Sequence, residues 1–179
     1  MSLNPLSALF KKWGFSWRGI IDNKNGEWLL FLQIILILSN LIPSWPNKFL
    51  SSSINSYLTI LGVTISLSGL GIAMKSIKDL GKQLTPLPEP MKGSRLVRNG
   101  IYFHIRHPLY LAIITISIGI SISLSSLLHL FLAIALIITL RIKAIREEKR
   151  LKKIHQDYIS YMSTTPAILP GISFLDWRK

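Results

Sequence analysis

Residues 109–140 read LYLAIITISIGISISLSSLLHLFLAIALIITL, 32 residues without one charged side chain. As a single α-helix rising 1.5 Å per residue they would reach about 48 Å, against a bilayer hydrocarbon core of about 30 Å. The stretch is therefore either one over-long helix or a hairpin of two shorter ones, and the run SISLSS, 121–126, is the natural place to fold back. Basic residues decide between the two. Four precede Trp28 (Lys11, Lys12, Arg18, Lys24). Seven lie between the second apolar span and residue 109 (Lys75, Lys78, Lys82, Lys92, Arg95, Arg98, Arg106), and nine follow residue 140. Lys48 is the only other one of the 21. A hairpin puts all but Lys48 on the cytoplasmic side, whereas a single span would send the nine C-terminal charges outside, against the positive-inside tendency. The hairpin is the reading adopted.

The rest of the chain fits this frame. Charge is also absent from 28–47 and 49–74, and 49% of residues are hydrophobic with a mean hydropathy of +0.41. Three such gaps in 179 residues point to an integral membrane protein. The expected fold class is an all-α membrane protein of about four transmembrane helices, at about 28–45, 54–74, 108–122 and 126–145. The third and fourth form the hairpin, and a cytoplasmic loop with a C-terminal helix forms the active site. One domain, 1–179, is expected, with both termini cytoplasmic. Residues 1–26, which mix Trp, Phe and Lys, would lie along the inner membrane surface and lack the long apolar core of a cleavable signal.

The formal charge of +13 invites a nucleic-acid reading. The charge flanks apolar spans, however, as membrane topology requires, so no nucleic-acid partner is expected; nor does any feature demand an obligate protein partner. The absence of cysteine excludes disulfides, thiolate zinc sites and a cysteine nucleophile, and no metal site is expected. After the fourth span, Leu151, Ile154, Tyr158 and Tyr161 fall at i, i+3, i+7 and i+10, one face of a continuing helix that Pro166 and Pro170 terminate.

Unusual polar residues concentrate in two cytoplasmic pieces, the loop 75–108 and the junction 141–158. The hairpin returns Arg141 to the membrane face that Pro108 left, so the HPLY tetrad, 107–110, and the Glu147–Glu148 pair are expected to be neighbours. Pro108 suits the first turn of a helix, with His107 at its N-cap. Helix N-termini attract anions, and Arg106 and His107 would strengthen that, while Tyr102 and Tyr110 offer faces to a cation. Each motif alone also has an ordinary reading: Tyr and His as interfacial belt residues, and Lys143 with Glu147 as an i,i+4 pair on a solvated helix face.

Taken together, SRLVRNGIYFHIRHPLYLA, 94–112, and REEKRLKKIHQDYISYMSTTPAILPGI, 146–172, resemble the isoprenylcysteine carboxyl methyltransferase family of membrane methyltransferases. Leu96, Val97, Gly100, Tyr102, Arg106, His107, Pro108 and Tyr110 match its spaced block, and the Glu pair, a Tyr-x-x-Tyr helix and a Pro-rich end follow about forty residues on. The resemblance covers about 75–171. It implies S-adenosylmethionine as methyl donor, with Ser94, Arg95, Leu96, Val97, Tyr102, Arg106, His107, Pro108, Leu109 and Tyr110 lining it and Glu147 or Glu148 holding it from the other side. A basic residue one turn earlier, Lys143 or Arg141, would face the acceptor's carboxylate. Members usually carry Phe-Gly where Ile154–His155 stand and one residue more before that point, and one residue is about 100° of helix rotation. Both choices thus stay open; the i,i+4 spacing favours Glu147 with Lys143, and His155 is read as an exposed helix residue.

The expected function is methyl transfer from S-adenosylmethionine to a lipophilic acceptor entering from the membrane, foremost a carboxylate of an isoprenylcysteine-like or other isoprenoid or lipid molecule. An Ile- and Lys-rich chain of this size suggests the plasma membrane of a prokaryote. The rivals are a membrane reductase related to sterol reductases and using NADPH, and a non-catalytic scaffold holding anionic lipid. A soluble dinucleotide-fold methyltransferase is disfavoured by the lack of a GxGxxG element.

Overall fold

The computed structural model describes residues 21–23, 26–44, 52–85, 87 and 95–178. The surface segment expected at 1–20 and Ser94 lie outside the described residues. Five α-helices are described: α1 (Glu27–Ser39), α2 (Ser52–Leu80), α3 (Pro108–Leu124), α4 (Leu127–Ile154) and α5 (Tyr158–Thr164). Two short 3₁₀ turns, Gly81–Gln83 and Gly100–Phe103, lie between α2 and α3. There is no strand among the described residues.

The uncharged stretch 109–140 folds back as a hairpin. Helix α3 stops at Leu124; Ser125 takes a left-handed conformation, φ 48° and ψ 44°, and Ser126 caps α4, its hydroxyl accepting from the His129 amide. A serine hydroxyl that accepts an N–H of the first turn is a strong helix starter, which is why the fold-back falls at the second half of SISLSS. Two helices, α2 and α4, are long and apolar enough to cross a membrane.

Helix α1 is shorter than the span expected at 28–45. Asn40 Nδ2 donates to Leu36 O at 2.8 Å, Ser39 Oγ to Ile35 O at 2.8 Å, and the Asn40 amide to Ile37 O. These local bonds satisfy the last carbonyls and close the helix before Leu41 and Ile42, which hydropathy alone would have kept inside it. Helix α2 is longer than expected, running on through Leu80.

Helix α3 is gripped between α2 and α4. The α2–α3 crossing is close because small residues face each other: a Cβ on Gly62 would stand 2.4 Å from the Gly119 carbonyl, and one on Gly119 would stand 2.3 Å from Ser66 Oγ. Small residues of this kind let apolar helices pack closely. Thr59 Oγ1 reaches Ser123 O at 3.2 Å across the same seam. On the other side Leu36, Tyr110, Ile114, Leu136, Leu140 and Ala144 form one core with Ile168 and Leu175 of the C-terminal segment. The outer faces stay apolar and exposed, among them Trp28, Phe31, Ile35 and Leu38 on α1 and Ile60 and Leu67 on α2. Apolar surface on that scale marks a face that meets a membrane or another protein.

The helix expected to run from α4 through Tyr161 is broken. His155 is extended, φ −119° and ψ 110°, and α5 starts afresh at Tyr158. Leu151, Ile154, Tyr158 and Tyr161 do not share one face: Tyr158 and Tyr161 are buried against Leu96 and Leu151, while Ile154 is half exposed. Nor is His155 an exposed helix residue; it is partly buried at the break, and its Nε2 is buried without a partner among the described residues. The break supplies the turn that lets both tyrosines pack inward, and it uncouples the register of α5 from that of α4. A one-residue difference ahead of it therefore need not rotate α5 by 100°.

Candidate functional site

Pro108 is the first residue of α3 and His107 its N-cap, as the sequence indicates. The approach to that helix start is fixed by Asp79 at the end of α2: its Oδ2 accepts the Ile101 amide at 2.8 Å, and Lys75 bonds its other oxygen at 2.9 Å. Gly100 is needed there. Its φ is +60°, and a Cβ would stand 2.1 Å from Asp79 Oδ2, so the backbone conformation and the close carboxylate both demand glycine.

The tetrad and the glutamate pair meet. His107 Nε2 lies 3.0 Å from Glu148 Oε1, and Tyr110 donates its phenol to Glu147 Oε2 at 2.9 Å. The two adjacent glutamates face different surroundings. Glu148 is 3% exposed and saturated: Oε1 also takes Arg106 Nε at 2.8 Å, and Oε2 takes the indole N–H of Trp177 at 2.6 Å. Glu147 has a quarter-exposed side chain and turns into a cleft.

That geometry corrects one expectation. Arg106 and His107 do not offer free charge to an incoming anion at the helix start. Their amides are given to Pro166 O at 2.9 Å and Ala167 O at 2.8 Å. The Arg106 guanidinium is neutralised by Glu148, with Nη1 further donating to Met162 O and Thr165 O. What remains is Nη2, which is buried and has no partner among the described residues.

The cleft is half open to its surroundings. Arg95, Leu96, Val97, Tyr102, Arg106, His107 and Glu147 line it, all from the sequence-derived set. Gln83, Leu151, Tyr158 and Tyr161 line it as well and were outside that set. An adjoining space shares Tyr102, Arg106, His107 and Glu147 and adds Leu84, Leu109 and Tyr110. Pro108 is fully buried behind both. Burial pushes the Tyr102 phenol well above its ordinary value, with the charge of Glu147 adding to the effect. Burial also pushes Tyr161 up to about 12, against the opposing charge of Arg106. These phenols are neutral at physiological pH. Tyr161 gives its proton to the Tyr102 carbonyl and so holds the 3₁₀ turn in place.

The two basic candidates are separated. Lys143 is 2% exposed, donates to Gln33 Oε1 of α1 at 2.6 Å, and has its Nζ 5.6 Å from the centre of the Tyr110 ring. Arg141 points to the C-terminal turn, with Nε on Phe174 O at 2.7 Å and the guanidinium 4.4 Å over the Phe174 ring. Gln33 and Trp177 were missed by sequence reasoning. Gln33 carried a signal, being a lone carboxamide inside an apolar span; Trp177 carried none. No group of metal-ligating side chains occurs among the described residues.

With this constellation on two long apolar helices, one comparison decides the class: the phospholipid methyltransferase family model matches residues 57–158, more than half of the chain. The chain belongs to that family. The family includes membrane methyltransferases of the isoprenylcysteine type, and membership makes this a methyltransferase of membranes, directed at lipid-related molecules. No curated protein matches the sequence significantly. The matched region takes in α2 from Tyr57, the whole loop, α3 and α4, and ends at Tyr158.

Proposed function

We propose that this chain transfers a methyl group from S-adenosylmethionine to a lipophilic acceptor, foremost the carboxylate of an isoprenylcysteine-like or other isoprenoid or lipid molecule. The observation that carries the reading is the cleft itself, with the quarter-exposed Glu147 carboxylate set beside Tyr102 and His107 on its lining. Glu147 suits the ammonium of an α-amino acid end, and the exposed Arg95 on the same lining suits its carboxylate. Tyr102 supplies an aromatic face suited to a cation or to adenine. The residues present therefore fit the cofactor.

When bound, S-adenosylmethionine supplies an electrophilic methyl on a sulfonium. The chain's own part is to position and to exclude water. Glu147, steadied by the Tyr110 phenol, holds the ammonium end. Both basic candidates are already bonded, Lys143 to Gln33 and Arg141 to Phe174; Lys143 is preferred to orient an anionic acceptor because its Nζ stands 5.6 Å from the ring of Tyr110, the partner of Glu147. An acceptor carboxylate is already nucleophilic at neutral pH and needs no base. Its reaction with a sulfonium loses charge separation at the transition state, so a poorly solvated site beside the bilayer favours it.

The reading includes four membrane crossings with both termini cytoplasmic, in the plasma membrane of a prokaryotic cell. At about 1.5 Å per residue α1 and α3 are short for the bilayer core, and local thinning or flanking residues accommodate that. Because the chain has no cysteine, single cysteines report sidedness directly: one at Ser126 is labelled from outside, one at Ser163 only after permeabilisation. The primary test is calorimetry in detergent. Micromolar binding of S-adenosylmethionine or its demethylated product is expected, and no measurable binding of either would overturn the proposal.

A further inference from the structure

The C-terminal segment after α5 reaches back to the site from outside the family-matched region, which ends at residue 158. It contacts the site at four places. Pro166 O and Ala167 O take the amides of Arg106 and His107, Thr165 O takes Arg106 Nη1, and Trp177 donates its indole N–H to Glu148. The turn that carries Trp177 is itself anchored: Leu175 is buried in the main core, the Ile168 amide donates to Leu175 O at 3.0 Å, and Arg141 lies 4.4 Å over Phe174 and 5.7 Å from the Trp177 ring.

We infer that Trp177 is a positioning residue, holding Arg106 and His107 in place through Glu148. The inference rests on the function proposed above. A carboxylate on its own swivels about its last bond, and Glu148 must present Oε1 to Arg106 Nε and His107 Nε2 together, at 2.8 and 3.0 Å. The indole N–H on Oε2 at 2.6 Å fixes the plane of the carboxylate. That leaves Oε1 as the shared acceptor and, with Glu148 ionised, makes Nε2 the protonated nitrogen of His107. The indole ring also stands 6.4 Å from the His107 ring, tilted by 34°, so it backs the imidazole sterically as well. Tryptophan is the one side chain that brings a single N–H on a rigid, bulky frame to that place; phenylalanine keeps most of the frame and loses the donor.

The test uses the full chain in detergent with isotope-labelled histidine, and the probe is S-adenosylhomocysteine. Trp177→Phe is expected to move the His107 imidazole resonances while leaving those of His129 and His155 in place, and to weaken binding of the probe by about tenfold, the scale of one charge-assisted hydrogen bond. Glu148→Gln is expected to move the Trp177 indole N–H resonance, which reads the same link from its other end. Loss of thermal stability in Trp177→Phe with unmoved His107 resonances and unchanged affinity would reduce Trp177 to packing and overturn the inference. If the unaltered chain binds no S-adenosylhomocysteine, the proposed function fails, and the His107 shift alone decides whether Trp177 positions that residue.

Discussion

Removing the two adjacent carboxylates one at a time should give opposite phenotypes. Glu148 is nearly fully buried and receives Arg106, His107 and Trp177. Glu148→Ala strands the Arg106 guanidinium without its counter-charge, and breaking one partner of a buried pair costs about 3–5 kcal/mol. That is a large share of the roughly 5–15 kcal/mol by which a domain is stable, so the variant should melt far below the parent or fail to accumulate. Glu147 has a quarter-exposed side chain 3.8 Å from His107 Nδ1 and takes a hydrogen bond from Tyr110, which the carbonyl of a glutamine accepts equally well. Glu147→Gln should therefore leave the melting temperature nearly unchanged. It should remove only the charge offered to a ligand ammonium, about 1.5–3 kcal/mol, or roughly 10- to 150-fold in Kd. Thermal unfolding in detergent paired with calorimetric titration of S-adenosylhomocysteine measures both. A stable Glu148→Ala chain of normal affinity, or a Glu147→Gln chain that unfolds as readily as Glu148→Ala, would refute the division of labour drawn from their burial.

Lys143→Met keeps the volume of a buried side chain and deletes its charge; cofactor affinity should hold while KM for an anionic acceptor rises at least about tenfold, and an unchanged KM in a methylation assay would exclude a role in acceptor binding. Gly62→Ala drives a Cβ into the Gly119 carbonyl and should cost about 1–3 kcal/mol of stability. In the same helix Gly71→Ala meets nothing within 4 Å and should add about 0.5–1 kcal/mol, so equal melting shifts for the two would contradict the close α2–α3 seam. Tyr161 has its folded-state pKa raised from 10.0 to about 12 by burial. Its contribution is therefore complete below pH 10 and is lost as the pH climbs towards about 12; alkaline unfolding, followed by phenolate absorbance, should be less steep in Tyr161→Phe, and an identical pH profile would argue against a buried neutral phenol.

What could be read from the sequence was local or followed from topology. The charge asymmetry around 109–140 was enough to fold that stretch into a hairpin, and the hairpin alone brings His107 and Tyr110 to the glutamate pair. Pro108 announced its own helix start. Two kinds of information were out of reach. The first is competition between local capping and hydropathy: Asn40 ends α1 by bonding back to Leu36, although Leu41 and Ile42 continue the apolar run. The second is long-range pairing. Nothing near Arg106 says that its charge is answered by Glu148, nor near Glu148 that Trp177 completes it, because those partners are 42 and 29 residues away. The break at His155 belongs to the same class. No Gly or Pro marks it between residues 144 and 157; burial of Tyr158 and Tyr161 outweighs the helical propensity of a Lys- and Glu-rich segment.

Two joined spaces meet at Glu147, and the function proposed above draws one ligand from water and the other from lipid. An enzyme supplied in this way counts its two reactants in different units, one per volume of cytosol and the other per area of membrane. Its turnover would follow the mole fraction of acceptor in the bilayer, so diluting that bilayer with inert lipid would slow the reaction at constant total acceptor.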